Sequence, residues 1–213
     1  MDKIFTYKYQ NNIFLVEVTY KKMKNIRYRF QDNKFIVSCP KRTLLSTIEN
    51  GIKKYGPNLI KRGYKPVAFT NEYIYIFGVK INLAGVSKIH FSNGKDIEFR
   101  DKEDLHKKLK VLLKDAIEAR QRFYEYQMGI NPPYKVFVKD VKTYFGINSK
   151  QKQSITYAFK LIHYDFKIID AIIVHELAHD KVRNHSKKFY DVVYQYYPSY
   201  KEDLKKLKRG IFK

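Results

Sequence analysis

Residues 174–185 read Val-His-Glu-Leu-Ala-His-Asp-Lys-Val-Arg-Asn-His, an H-E-x-x-H pattern with a third histidine six residues beyond the second. Histidines four apart lie on one face of a helix, one turn above each other, so both imidazoles can reach a single ion at about 2.0–2.1 Å. Glu176 is held one step round that helix. From there a carboxylate can take a proton from a metal-activated water without occupying a coordination position, the geometry a general base needs. The pattern predicts hydrolysis with Zn2+ as cofactor, His175, His179 and His185 as metal ligands and Glu176 as the catalytic base.

The competing reading is a pair of core histidines bonded to backbone carbonyls. At the chain's own histidine frequency, H-E-x-x-H arises by accident in roughly one chain of this size in a hundred. Three of the six histidines also fall within eleven residues. The surrounding Ile168, Ile169, Ala171, Ile172, Ile173, Val174, Leu177 and Ala178 predict a largely buried helix, in which unsatisfied polar side chains are costly. A metal satisfies them economically. His185 stands past the expected helix end, where Arg183-Asn184 can turn the chain. Related H-E-x-x-H-x-x-G-x-x-H motifs place a glycine where this chain has Val182, which makes Asn184 the candidate for a left-handed bend. Asp191 and Glu202 are the alternatives to His185 as third ligand. Tyr144 and Asn148, ahead of the metal helix, are weaker substrate-binding candidates able to donate to a developing oxyanion. His90, His106 and His163 show no ligand spacing and are expected in surface or core roles.

Elements that must position these residues can be read from turns and periodicity. Ile13–Tyr20 and Lys34–Ser38 carry strand residues, preceded by turns at Asn11-Asn12 and Asp32-Asn33, so two hairpins are expected. A helix capped by Thr43 or Ser46, with Leu44, Leu45, Ile48 and Ile52 at helical spacing, should fade near Gly56-Pro57. Strands return at Tyr73–Phe77 and Val86–Phe91, and Asn93-Gly94 signals a tight turn into Ile97–Arg100. From Asp101 the period changes. Leu105, Leu109, Leu112, Ala116 and Phe123 predict a long amphipathic helix, ended by Gly129 and Asn131-Pro132-Pro133. Tyr134–Phe145 and Ser154–Ile162 read as two strands joined by a polar loop. Asp165 can cap a helix from about Phe166 to Val182, and Ser186 one from Lys187 to Tyr197. The fold class expected is α+β: a β-rich N-terminal region with one helix, residues 1–100, and a catalytic unit, residues 101–213.

Composition sets outer limits. A chain of 213 residues is long enough for a full core or for a catalytic unit with a smaller companion. There is no apolar run of the roughly 20 residues a membrane-spanning helix needs, and no signal-like segment, so a cytoplasmic location without membrane association is expected. The single cysteine, Cys39, excludes an internal disulfide and reads as a small buried residue. The net charge of +22 favours acidic partners such as nucleic acid, and the aromatic and basic mix over Tyr20–Phe30 could stack on and neutralise it. That charge is spread evenly, however, with 19 basic against 7 acidic residues up to residue 100 and 24 against 14 beyond it. A bias toward Lys, Asn, Ile and Tyr produces the same pattern.

The motifs resemble the YgjP-like zinc metallopeptidase family, which is itself similar to the SprT-like and WLM zinc peptidases. His-Glu-Leu-Ala-His followed by Asn-His-Ser-Lys-Lys-Phe-Tyr, up to Val193, is similar to that family's HELAH-x-x-x-x-NHS-x-x-FW segment, with Tyr190 in place of Trp. Lys142–Asn148 resembles its K-T-R-W-G-S-C stretch, with Tyr144, Phe145, Ile147 and Asn148 replacing Arg, Trp, Ser and Cys. The resemblance implies a small zincin-like catalytic unit: a backing helix, a short sheet whose edge strand can take an extended peptide, the HExxH helix and C-terminal helices. It also implies zinc ligands at His175, His179 and His185, the base at Glu176, and a peptide or protein substrate. Two other functions remain open: metal-dependent nucleotide phosphohydrolysis, which some family members suggest, and nucleic-acid binding with a vestigial metal site.

Overall fold

The computed structural model describes residues 3–64, 66–91, 94 and 96–212, and the chain divides into two compact units between Pro66 and Val67. In the first unit, β1 (Lys3–Tyr9) and β2 (Asn12–Lys21) form one hairpin, and β3 (Arg27–Gln31) and β4 (Lys34–Pro40) form the other. Asp32 and Asn33 turn the second with φ of 51° and 57°, the left-handed pair that matches strand twist. The first turns at Gln10-Asn11, with Asn12 already in β2. The sheet order is β1-β2-β4-β3, with β2 and β4 parallel at its centre.

Alternation puts Phe14, Val16 and Val18 of β2 and Phe35, Val37 and Cys39 of β4 on one buried face, packed with Ile48, Ile52 and Ile60 of α1 (Leu45–Gly63). That helix departs from the expectation at both ends. Leu44 precedes it without a side-chain cap, and it runs through Pro57 instead of fading there. Pro57 cannot donate to the carbonyl one turn back, which costs about 3 kcal/mol in a helix interior. Packing outweighs that cost: Gly56 lets the helix approach the sheet, where a Cβ would meet the Phe35 ring at 3.3 Å, and Ile60 beyond the proline is buried.

The second unit begins at Val67, not near residue 100, because the strands before the long helix belong to its core. Ile74 and Ile76 of β5 (Tyr73–Ile76) and Ile89 of β7 (Lys88–His90) share one buried cluster with Leu105, Leu109 and Leu113 of α2 (Lys102–Met128). β5 pairs with β6 (Val79–Asn82), and β7 with β8 (Asp96–Glu98). Gly94 adopts φ 77°, while Asn93 of the expected turn lies outside the described residues.

Asp101 caps α2 by accepting from the Asp104 amide, and Gly129 ends it in the left-handed conformation. The buried stripe runs Leu105, Leu109, Leu113, Ile117, Gln121, Glu125, whereas Leu112 and Ala116 are half-buried and Phe123 is exposed. Two polar members, Gln121 and Glu125, hid the true ridge from a count of apolar residues.

Beyond α2, the expected strand 134–145 is shorter, as β9 (Lys135–Lys139). The polar loop contains a further strand, β10 (Gly146–Ser149), before β11 (Ser154–Ala158). The sheet order is β10-β11-β9, with β9 parallel and β10 antiparallel to β11. α3 (Phe166–Lys181), α4 (Lys187–Tyr196) and α5 (Tyr200–Arg209) complete the α+β unit. No helix among the described residues is long and apolar enough to cross a membrane.

Candidate metal centre

Asp165 starts α3 by accepting from the Ile168 amide, and ten residues from Ile168 to Ala178 are buried. His175 and His179 lie on the side of α3 that faces α4 and α5, and Glu176 faces β10. The helix stops at Val182, whose backbone is extended (φ −137°, ψ 115°). No residue between Gln153 and Gly210 has positive φ, so the bend to His185 is made by extended chain and the left-handed Asn184 is not needed. Ser186 precedes α4 without a side-chain cap.

The bend brings His185 Nε2 to 3.1 Å from His175 Nε2. One ligand nitrogen from each of His175, His179 and His185 lies within 4.8 Å of the others. Asp191 and Glu202, both exposed, stand outside this cluster. Phe189, fully buried on α4, floors the group, its ring centroid 4.9, 4.6 and 4.8 Å from those of His175, His179 and His185.

Tautomers follow from the outer hydrogen bonds. The Val182 carbonyl can only accept, so His179 donates to it from Nδ1 at 3.2 Å and presents the Nε2 lone pair inward. His175 Nδ1 lies 2.7 Å from the Tyr200 hydroxyl, a group that can accept from Nδ1 and leave the Nε2 lone pair of His175 facing inward in the same way. Burial holds His175 down at about 3 and His179 below its usual range, with neighbouring imidazoles pushing each the same way. Both rings are neutral near pH 7, as metal ligands must be. The 3.1 Å between His175 Nε2 and His185 Nε2 is close to the spacing of tetrahedral zinc ligands, about 3.3 Å. The donor set therefore fits zinc.

Glu176 is buried, and its desolvation lifts the carboxyl to about 7. Its backbone carbonyl accepts from Asn148 Nδ2 at 2.8 Å, tying α3 to β10. Its side chain packs on Gly146, where a Cβ would fall 2.7 Å from Cγ and Oε1. A cleft of about 620 Å3 opens over the histidines and Glu176, walled by β10 on one side and Arg183 on the other. Asn148 lines it and Tyr144 does not. Sequence reasoning missed Phe189, Tyr200 and Gly146. Phe189 and Gly146 stand in the segments that carry the family resemblance, whereas Tyr200 is one of 19 tyrosines with no local signal.

This fold and site define a metal-dependent hydrolase. The chain belongs to the YgjP-like family: the profile described as "YgjP-like, metallopeptidase domain" matches residues 24–210. It is a metallopeptidase of that family. Among solved structures it is similar to the metallopeptidase zymogen of Pyrococcus abyssi abylysin, at 25% identity and a TM-score of 0.40 over 45% of this chain and 98% of that one. It is also similar to the metallopeptidase zymogen of Methanocaldococcus jannaschii jannalysin, at 23% identity and a TM-score of 0.39 over 43% and 91%. No curated protein matches.

Proposed function

We propose that this metallopeptidase holds zinc on His175, His179 and His185 and cuts extended peptide segments with Glu176 as general base. The observation that carries the reading is the convergence of three imidazoles, with His175 and His185 3.1 Å apart and all three within 4.8 Å, beside one buried carboxylate. Zinc bound there would polarise the scissile carbonyl and make water acidic enough to lose a proton near neutral pH. Glu176 takes that proton on its carboxylate and returns it to the leaving amine. Its burial supports both halves of the transfer, since a carboxyl that titrates near 7 can accept and donate. β10 is an outer strand of its sheet and lines the cleft, so its backbone can align an extended substrate there.

Single substitutions test the assignment. His175→Ala, His179→Ala and His185→Ala should each lose zinc by elemental analysis and lower the melting temperature, because the metal stabilises only the folded state. Glu176→Gln should keep both zinc and stability while losing cleavage of unfolded proteins and peptide libraries. Cleavage that survives Glu176→Gln, or zinc that survives all three histidine changes, refutes the mechanism. A nucleotide panel should show no phosphate release dependent on His175.

A further inference from the structure

The cleft has a charge asymmetry that the hydrolytic machinery does not use. Its walls among the described residues carry one carboxylate, Glu176, which is buried, and two cations, Lys150 and Arg183. Lys150 is spoken for. Its Nζ donates to the Asp180 carbonyl at 2.7 Å and pairs with Asp180 Oδ1 at 3.2 Å, while Tyr134 donates to the same carboxylate oxygen at 2.8 Å. Asp180, the acid next to this wall, is thereby neutralised by its own neighbours.

Arg183 differs. It is exposed, and its side chain makes no hydrogen bond or ion pair among the described residues. Its backbone lies against the His179 ring and it precedes His185 by two residues, so its root is fixed by the ligand-bearing bend. A guanidinium offers donors in a planar fork that matches a carboxylate two bonds at a time. In a protein of net charge +22, acidic segments are also drawn toward the surface before they dock.

We infer that Arg183 is a specificity residue: the enzyme selects peptide segments that carry a carboxylate close to the scissile bond, paired with this guanidinium. The inference rests on the peptidase reading above. The carboxylate has two sources, an Asp or Glu side chain or the free C-terminus of the peptide.

The test uses zinc-loaded full-length protein and quenched fluorescent peptides in matched sets. Glu, Gln or Lys is placed at each of three positions on either side of the cut, and each peptide is made with a free and with an amidated C-terminus. One position should favour Glu over Gln by about tenfold in kcat/KM, the scale of a charge-assisted hydrogen bond in a partly solvated site. That ratio should fall to about one in Arg183→Gln and turn in favour of Lys in Arg183→Glu, with zinc content and melting temperature unchanged. A free-over-amidated preference that Arg183→Gln abolishes assigns the terminal carboxylate instead. Equal rates on Glu, Gln and both C-termini in the wild type overturn the inference. So does an equal loss on every peptide in Arg183→Gln with the ratio intact. Binding of the same peptides to Glu176→Gln, read by fluorescence anisotropy, separates the two claims. Charge preference there without turnover in the wild type keeps the Arg183 assignment and sinks the peptidase reading. Neither preference nor turnover sinks both.

Discussion

Gly146→Ala moves the proposed base without touching the helix that carries it. A Cβ on residue 146 would stand 2.7 Å from Glu176 Cγ and Oε1 and 2.9 Å from Cδ, against the 3.5–4.0 Å at which carbon atoms rest in contact. Those atoms belong to the outer part of a flexible side chain, so the carboxyl shifts by about 1 Å while the backbone stays. The cost to folding is that of an off-rotamer side chain, about 1 kcal/mol, or a few degrees in melting temperature for a chain of this size. The cost to turnover is larger, because misplacing a reacting group by 1 Å costs about a hundredfold, or about 2.7 kcal/mol in the barrier. Steady-state kinetics on one fluorogenic peptide should show kcat down by about two orders of magnitude, with zinc content intact. In a Glu176→Gln background the same change should cost nothing further, since the group it displaces is already idle. Retention of kcat within threefold, or loss of zinc, would show that contact with Gly146 does not set the position of Glu176.

Three more outcomes follow from contacts around this unit. Tyr200→Phe removes the outer hydrogen-bond partner of His175 Nδ1 and should weaken zinc affinity by about 10- to 100-fold in a chelator competition, with the fold intact by circular dichroism. His163, half-buried with Nδ1 2.8 Å from the Tyr75 carbonyl, is held below its usual range by desolvation. Its contribution is present above about pH 6.5 and is lost as pH falls below that, because the unfolded chain takes up the proton first. Urea titrations between pH 7.5 and 5 should show this slope in the wild type and a flatter one in His163→Gln. Asp170→Ala strands Arg120, whose Nε and Nη2 both donate to the Asp170 carboxylate and link α2 to α3. A loss of about 2–4 kcal/mol is expected by urea denaturation, less than for a fully buried pair because Arg120 reaches solvent.

What could be read from the sequence was local. His175 and His179 sit one helical turn apart, so their shared face follows from the period alone, and Asp165 marks the start of α3 in the same window. The bend to His185 was legible as a bend but not in its geometry, since extended chain at Val182 serves where a left-handed residue seemed necessary. Contacts across long separations left no trace. Tyr200 meets His175 from 25 residues away, and Gly146 lies under Glu176 from 30 residues upstream, inside what read as a polar loop. The α2 ridge was misplaced for a related reason. Gln121 and Glu125 are buried because they satisfy each other, the Tyr134 amide and carbonyl and the Tyr157 hydroxyl, a pairing that only tertiary structure supplies.

α3 carries both the core and the chemistry, and the two demands conflict. A helix with ten buried residues gains stability from apolar contact, while three polar side chains on it face desolvation. The conflict is relieved around each polar group in turn. His179 spends its outer nitrogen on the helix's own terminal carbonyl at Val182, His175 spends its own on Tyr200 from α5, and the buried Phe189 ring packs against both imidazoles. Glu176 is treated differently: Asn148 holds its backbone carbonyl, Gly146 leaves room for its side chain, and at its carboxyl desolvation outweighs the one opposing contact, the backbone N–H of Asn148. Fixed outer hydrogen bonds on the histidines and net desolvation of the carboxyl are opposite treatments of neighbouring residues on one helix. They are what the proposed ligand set and the proposed base respectively require, because a ligand must not reorient when metal binds and a base needs a carboxyl poised both to take and to return a proton.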